Sequence, residues 1–165
     1  RPSYCIKSLA KSLVTSSTPR CWCPMAIVDA FLADLVVDLR RDEGVAYKPY
    51  RDSEGILSIG VGRNLEDRGI SDDEIDFLLA NDLNWVVVDL DRGAPWWREM
   101  TTNRQRAFAN MVFNLGWPRL SGFKQMLAAL EAGDWDEAAN QALDSRWAVQ
   151  VGARAERIAE LFRSG

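Results

Sequence analysis

The sequence predicts an α+β fold of two lobes, a small β-hairpin lobe and a larger helical lobe, joined by one long helix with a cleft between them. Three observations lead there. Residues 45–62 carry Pro49, Gly55, Gly60 and Gly62 among short segments, the mark of tight hairpin turns. "SDDE" at 71–74 opens a helical run, with Ser71 as N-cap, Glu74 three residues on, and acids where the helix dipole favours them. From about residue 91 onward the chain reads as one helical segment after another, without an internal repeat.

Taken in order, residues 1–24 ("RPSYCIKSLAKSLVTSSTPRCWCP") are basic, rich in Ser and Thr and free of acids. They read as an appendage of unclear role to a domain spanning 25–165, for which Met25 makes a natural start. All three cysteines (Cys5, Cys21, Cys23) fall in this segment. Cys21 and Cys23 are too close to bridge easily, Cys5 can reach either, and three thiols without histidine make a poor metal site, so incidental thiols are expected. Residues 26–43 repeat apolar side chains at helical spacing (Ile27, Phe31, Leu35, Leu39) and stop at Gly44, a suitable residue just past a helix end. The β lobe then covers about 44–70 and the linking helix about 71–90. The helical lobe takes about 91–165 together with the helix 26–43. Within it, "TTNRQRAFANMVFNLG" (101–116) is apolar on most faces beyond Arg106, which predicts a buried central helix. Further helices are expected at 122–130, after Asp134 with Glu137 as an acidic capping box, and at 152–165 with Arg154 and Arg157 on its early turns.

Composition narrows the function. The chain of 165 residues is 47% hydrophobic and 27% charged, which is globular rather than disordered. Its most apolar run, 26–37, is broken by Asp29 and Asp34, so no membrane span is expected. There is no histidine, which removes Ser-His-Asp and Cys-His nucleophile systems and every His-containing zinc site. Between 42 and 99 fourteen acids face six bases. No stretch offers a basic stripe with interleaved aromatics, so nucleic acid is not an expected partner.

The stretch "EGVAYKPYRDSEGILSIGVG" (43–62) carries the candidate chemistry: Glu43, Asp52 and Ser58. Glycoside hydrolysis is commonly run by two carboxyl groups flanking the scissile bond, one donating a proton to the leaving oxygen, the other activating water or attacking the sugar. The two need different environments. Glu43 closes a helix, at its negative end, whereas Asp52 belongs to an open turn. On spacing alone the pair carries little weight, because two acids nine residues apart arise readily in a chain with 24 of them. A return strand that brings Ser58 back towards the acids adds a hydroxyl able to hold a water; the plain alternative is a half-exposed strand serine.

The segment "RRDEGVAYKPYRDSEGILSIGVG" resembles the catalytic segment of the T-even phage lysozyme family, whose pattern is Glu, eight residues, Asp or Cys, five residues, then Thr. "ISDDEIDFLLANDL", "NRQRAFANMVFNLG", "GDWDEAANQALDSRW" and "GARAERIAELFRSG" resemble, in order, the family's inter-lobe helix, central helix and closing helices. The likeness runs from about residue 27 to 165. It implies a lysozyme-like two-lobe fold and a peptidoglycan hydrolase that needs no metal or cofactor. Glu43 then matches the general acid, Asp52 the opposing carboxylate and Ser58 the water-holding threonine. Arg154 matches an arginine that pairs with the catalytic glutamate. Phe113, Asn114 and Gln141 match substrate-binding positions of the cleft; their residue-only alternatives are core packing for Phe113 and a solvated helix face for the two amides. Trp135 and Trp147 resemble core tryptophans, while Trp117 either lines the cleft or covers a helix end. The resemblance further implies a monomer acting on bacterial peptidoglycan, held in the host cytoplasm until lysis. Two departures stand out: serine replaces the family threonine, and the short connection from Arg63 to Ile70 implies a trimmed β lobe with a more open cleft.

Overall fold

The computed structural model describes residues 30–165 and resolves two compact units, divided between Arg68 and Gly69. The predictions for residues 1–24, the three cysteines, Met25 and the first turn of the N-terminal helix lie outside the described residues.

The first unit opens with α1 (Ala30–Asp42) and continues into a three-stranded antiparallel sheet, β1 (Ala46–Arg51), β2 (Leu57–Gly60) and β3 (Arg63–Asn64), in the order β1-β2-β3. Arg40 and Arg41 occupy the last turn of α1, where cations suit the dipole. The final helical bond runs from the Glu43 N–H to the Leu39 carbonyl (2.9 Å), and Gly44 follows at φ +73°, a conformation that a side chain would strain. None of the residues of α1 is buried. The division assigns α1 to the unit of the sheet, whereas the sequence reading grouped it with the helical lobe; with nothing buried in α1, the short chain link to β1 decides its place.

In the sheet, Ala46 pairs with Gly60, Tyr50 with Ser58 and Arg51 with Leu57, and β2 pairs with β3 through Ser58–Asn64 and Ile59–Arg63. Between Ala46 and Tyr50 the register shifts, so β1 carries extra residues against β2. Pro49 falls in that irregular stretch of an edge strand, where a residue without an N–H costs no ladder bond. The expected hairpin is thus present, with a short third strand added.

The second unit, residues 69–165, begins with α2 (Asp72–Gly93). Its capping box forms as predicted: Ser71 Oγ accepts from the Glu74 N–H, and Glu74 Oε2 accepts from the Ser71 N–H at 2.7 Å. A 3-10 turn (Pro95–Glu99) leads into α3 (Thr102–Leu115), followed by α4 (Trp117–Leu120), α5 (Lys124–Ala132), α6 (Trp135–Leu143), α7 (Arg146–Val151) and α8 (Ala153–Ser164). The short segments, the 3-10 turn with α4 and α7, went unread in the sequence because each spans too few residues to show a period.

The core of this unit sits where α6 packs on α5 and α8, and α3 on α8 and α2. Ala138, Ala139 and Ala142 on α6 and Ala155 and Ala159 on α8 are fully or almost fully buried, and small side chains let these helices approach closely. Phe108, Met111, Leu120, Leu130 and Phe162 fill the space around them. The second predicted capping box forms only in part. Asp134 accepts from the Glu137 N–H (3.1 Å), but the Glu137 carboxylate reaches forward to accept from Gln141 Nε2 (2.8 Å). An acid at the cap repels the returning carboxylate, and the amide one turn on attracts it. Trp147 is core, as expected, at 3% exposure. Trp135 is only partly buried, with the Arg104 guanidinium 4.1 Å above its ring, so the core assignment for Trp135 is corrected to a half-buried stacking position.

Candidate active site

Glu43 is the first residue past α1, exposed, and its carboxylate takes no hydrogen bond or ion pair among the described residues. Two residues separate it from β1. At the far end of β1, Asp52 organises the turn to β2. Its Oδ1 accepts from the backbone N–H groups of Glu54 and Ile56 (2.9 Å each), while its own N–H donates to the Ile56 carbonyl (3.0 Å). An aspartate that caps its own turn in this way is locked in place. One carboxylate oxygen is spent on structure; Oδ2 takes no hydrogen bond among the described residues.

Ser58 sits on the middle strand, 2% exposed, the buried polar residue among those described. The half-exposed alternative therefore does not hold for Ser58, although the other three residues of β2 are half-buried. The register settles the side-chain row. Asp52 lies in the turn one residue past β1, two positions from Tyr50, the cross-strand partner of Ser58. Tyr50, Ser58 and Asn64 are cross-strand partners on one face of the sheet. Tyr50 and Asn64 flank Ser58 on it. No sequence motif marks them, since only the register makes them its neighbours. Asn64 is occupied with its own turn, donating to Asp67 Oδ2 (2.7 Å) and accepting from the Asp67 N–H (2.9 Å).

The remaining predicted residues belong to the second unit. The central helix α3, expected to be apolar on most faces beyond Arg106 and buried, is buried on one face only. Ala107, Phe108, Met111 and Val112 are buried, whereas Arg106, Asn110, Phe113 and Asn114 lie on an exposed face, one to two turns apart. Phe113 is 45% exposed, so core packing is excluded for it. Asn114 accepts from the indole N–H of Trp147 (2.7 Å), which fixes the direction of its amide. Gln141 is half-buried, bonded to Glu137, and lines a hollow with Phe123, Lys124, Asp144 and Ser145. Arg154 donates through Nε and Nη2 to the single acceptor Asn110 Oδ1 (2.9 and 2.7 Å). Asn110 was missed in the sequence. Its signal was available, one helical turn before Asn114 on the same face. Among the described residues there is no cluster of His, Cys, Asp and Glu suited to a metal, and no helix long and apolar enough to cross a membrane.

Comparison with known proteins places the chain in a family. The profile of the phage lysozyme family matches residues 40–162, a span that includes Glu43, Asp52, Ser58 and every predicted site residue of the second unit. The chain is 30% identical to the pre-baseplate central spike protein Gp5 of Enterobacteria phage T4, over 77% of this chain and 27% of that protein. It is 26% identical to "Probable T4-type lysozyme 2" of Dictyostelium discoideum, over 77% of this chain and 92% of that one. It is 35% identical to the SAR-endolysin of Escherichia phage Mu, over 67% of this chain and 63% of that one. The chain thus spans about a quarter of the spike protein and nearly all of the Dictyostelium lysozyme. These relatives support a peptidoglycan-acting enzyme at the level of class. With its capped long helix, small antiparallel sheet and helical core, the chain belongs to the phage lysozyme family.

Proposed function

We propose that the protein is a muramidase, an endolysin that hydrolyses the β-1,4 bond between N-acetylmuramic acid and N-acetylglucosamine in bacterial peptidoglycan with inversion. The observation that supports the reading is the turn after β1: Asp52 lies two positions past Tyr50, the cross-strand partner of Ser58, and its Oδ2 takes no hydrogen bond among the described residues. In this reading Glu43 gives its proton to the glycosidic oxygen as the C–O bond breaks. A water held by Asp52 Oδ2 and the Ser58 hydroxyl attacks the anomeric carbon from the opposite face and leaves its proton on Asp52. Serine lacks the β-methyl that stiffens threonine, so water positioning is looser and the rate lower by roughly a fewfold. Phe113, Asn114 and Gln141 line the substrate, and Arg154, steadied by Asn110, orients Glu43. The biological role is lysis of the host from a cytoplasmic store, as a monomer, once the wall becomes reachable.

Product analysis on purified peptidoglycan tests this directly. Reducing N-acetylmuramic acid ends released by the wild-type chain and absent with Glu43→Gln are expected. Anhydro-muramic ends identify a lytic transglycosylase instead. Saturable wall binding by a folded chain with no product identifies a wall-binding protein that has lost catalysis.

A further inference from the structure

Trp117 and Trp96 meet at a hollow that the muramidase reading does not use. It lies wholly within the helical unit, encloses about 280 Å³, and is lined by Gly93, Ala94, Trp96, Trp117, Ser121, Lys124, Leu127, Ala128 and Glu131. Both indoles are half-buried and backed by structure. Trp96 stacks on Phe108 in the core, ring centroids 5.5 Å apart and planes 7° from parallel. Trp117, the first residue of α4, lies so tightly over the end of α2 that a Cβ at Gly93 would come within 1.9 Å of its ring. Only glycine allows that approach, and the ring is held where it is. One wall is the face of α5 formed by Lys124, Leu127, Ala128 and Glu131, at helical intervals of three and four, with the apolar pair in the middle and a charge at each end.

We propose that this hollow is a second saccharide site, one that seats a single N-acetylhexosamine ring of the glycan strand. The inference rests on the muramidase reading for its ligand class. The lining of the hollow fits a sugar. A pyranose presents an apolar C–H face that packs on an indole, whose π face is electron-rich, and a rim of hydroxyls that both donate and accept. Lys124 supplies donors and Glu131 acceptors at opposite ends of the α5 wall. Electrostatics make such a site useful. With fourteen acids against six bases over 42–99, long-range attraction to an anionic wall polymer is poor, so retention must come from short-range stacking and hydrogen bonds. A ring held here keeps the enzyme on the polymer between turnovers.

The test is co-sedimentation of the full chain with purified peptidoglycan, in a Glu43→Gln background so that the wall is not consumed. Trp117→Leu keeps an apolar cover over Gly93 but removes the aromatic face. The charge-neutral pair Lys124→Ala with Glu131→Ala removes the polar rim without touching the core. Each folded variant is expected to bind wall about threefold to tenfold more weakly, the range of one aromatic contact or one pair of exposed polar contacts. Weakening in either folded variant supports the site; unchanged binding in the rim pair and in folded Trp117→Leu overturns it. If Trp117→Leu does not fold, the rim pair alone decides. Trp117-dependent binding by a chain whose wild type makes no product removes the muramidase and keeps the saccharide site. Reducing-end products with binding unchanged in the variants do the reverse. No sedimentation of Glu43→Gln at all overturns the site.

Discussion

The two units of this protein divide their work unequally. Every buried apolar residue among those described, from Val86 to Phe162, belongs to the unit 69–165, whereas the unit that ends at Arg68 contributes a single buried residue, Ser58, and it is polar. Yet Glu43, Asp52 and Ser58, the proposed reacting groups, all lie in the unit whose described residues bury no apolar side chain. The small sheet holds them by other means: a helix end stopped at a left-handed glycine, an aspartate that caps its own turn, and a strand register that pairs Ser58 with Tyr50, two positions before Asp52. Hydrogen bonds and backbone conformation fix geometry without much apolar burial. They leave Glu43 exposed and Asp52 half-buried. A core does the opposite, fixing geometry by excluding everything that reacts.

The comparison breaks most visibly if the core unit is struck. Phe162→Ala removes a fully buried ring and should cost about 3–5 kcal/mol, read as a lower denaturation midpoint, with activity lost only because the chain unfolds. Asp52 sharpens the contrast. Asp52→Asn keeps an acceptor at Oδ1 for the turn and should lower turnover by about 10²–10⁴-fold with stability almost unchanged. Asp52→Ala also strips the Glu54 and Ile56 N–H groups of their partner and should add a stability loss of about 1–2 kcal/mol, visible by denaturation. If the two variants are equally stable, the turn is not held by Asp52 Oδ1.

Arg154 belongs to the core unit but is tied to the proposed chemistry. As an orienting group, Arg154→Ala should reduce activity by about tenfold, with the pH optimum of the rate profile in place. A shifted optimum would instead mark it as an electrostatic partner of the acid. The smallest effect is expected at Asp91. The Arg98 guanidinium, and then the Trp97 indole, hold its carboxyl below the usual carboxylate range. Because the folded value is depressed, this contribution is present above about pH 4 and is lost as pH falls through the lowered value. The pair is 40% exposed on the aspartate side, so Asp91→Asn, which still accepts from Trp97, should cost less than about 1 kcal/mol at neutral pH and flatten the acid limb of the stability curve.

Much of this was legible in the sequence, unevenly and for physical reasons. Long periodic helices and caps announce themselves locally, so α2 with its Ser71–Glu74 box and the closing helix α8 were read closely. Glu43, Asp52 and Ser58 emerged from residue types and spacing, then from a family resemblance that the profile over 40–162 bears out. What depends on partners distant in the chain was not legible. Asn110 beneath Arg154 is 44 positions away and Trp147 beneath Asn114 is 33, so neither bond leaves a local trace. The extent of the exposed face of α3 was not legible, because residue types alone left Phe113 open between core packing and an exposed position, and it is exposed. Glu137 forsook its cap for Gln141, a competition between two local rules that a pattern alone does not rank.

The central claim is that chemistry and stability reside in different units, with Glu43 as the acid. It is tested most directly by Glu43→Gln, assayed in one preparation for reducing ends released from peptidoglycan and for its denaturation midpoint. The account predicts release at least about a hundredfold lower with stability within about 0.5 kcal/mol of wild type. Undiminished release from the folded variant would contradict it.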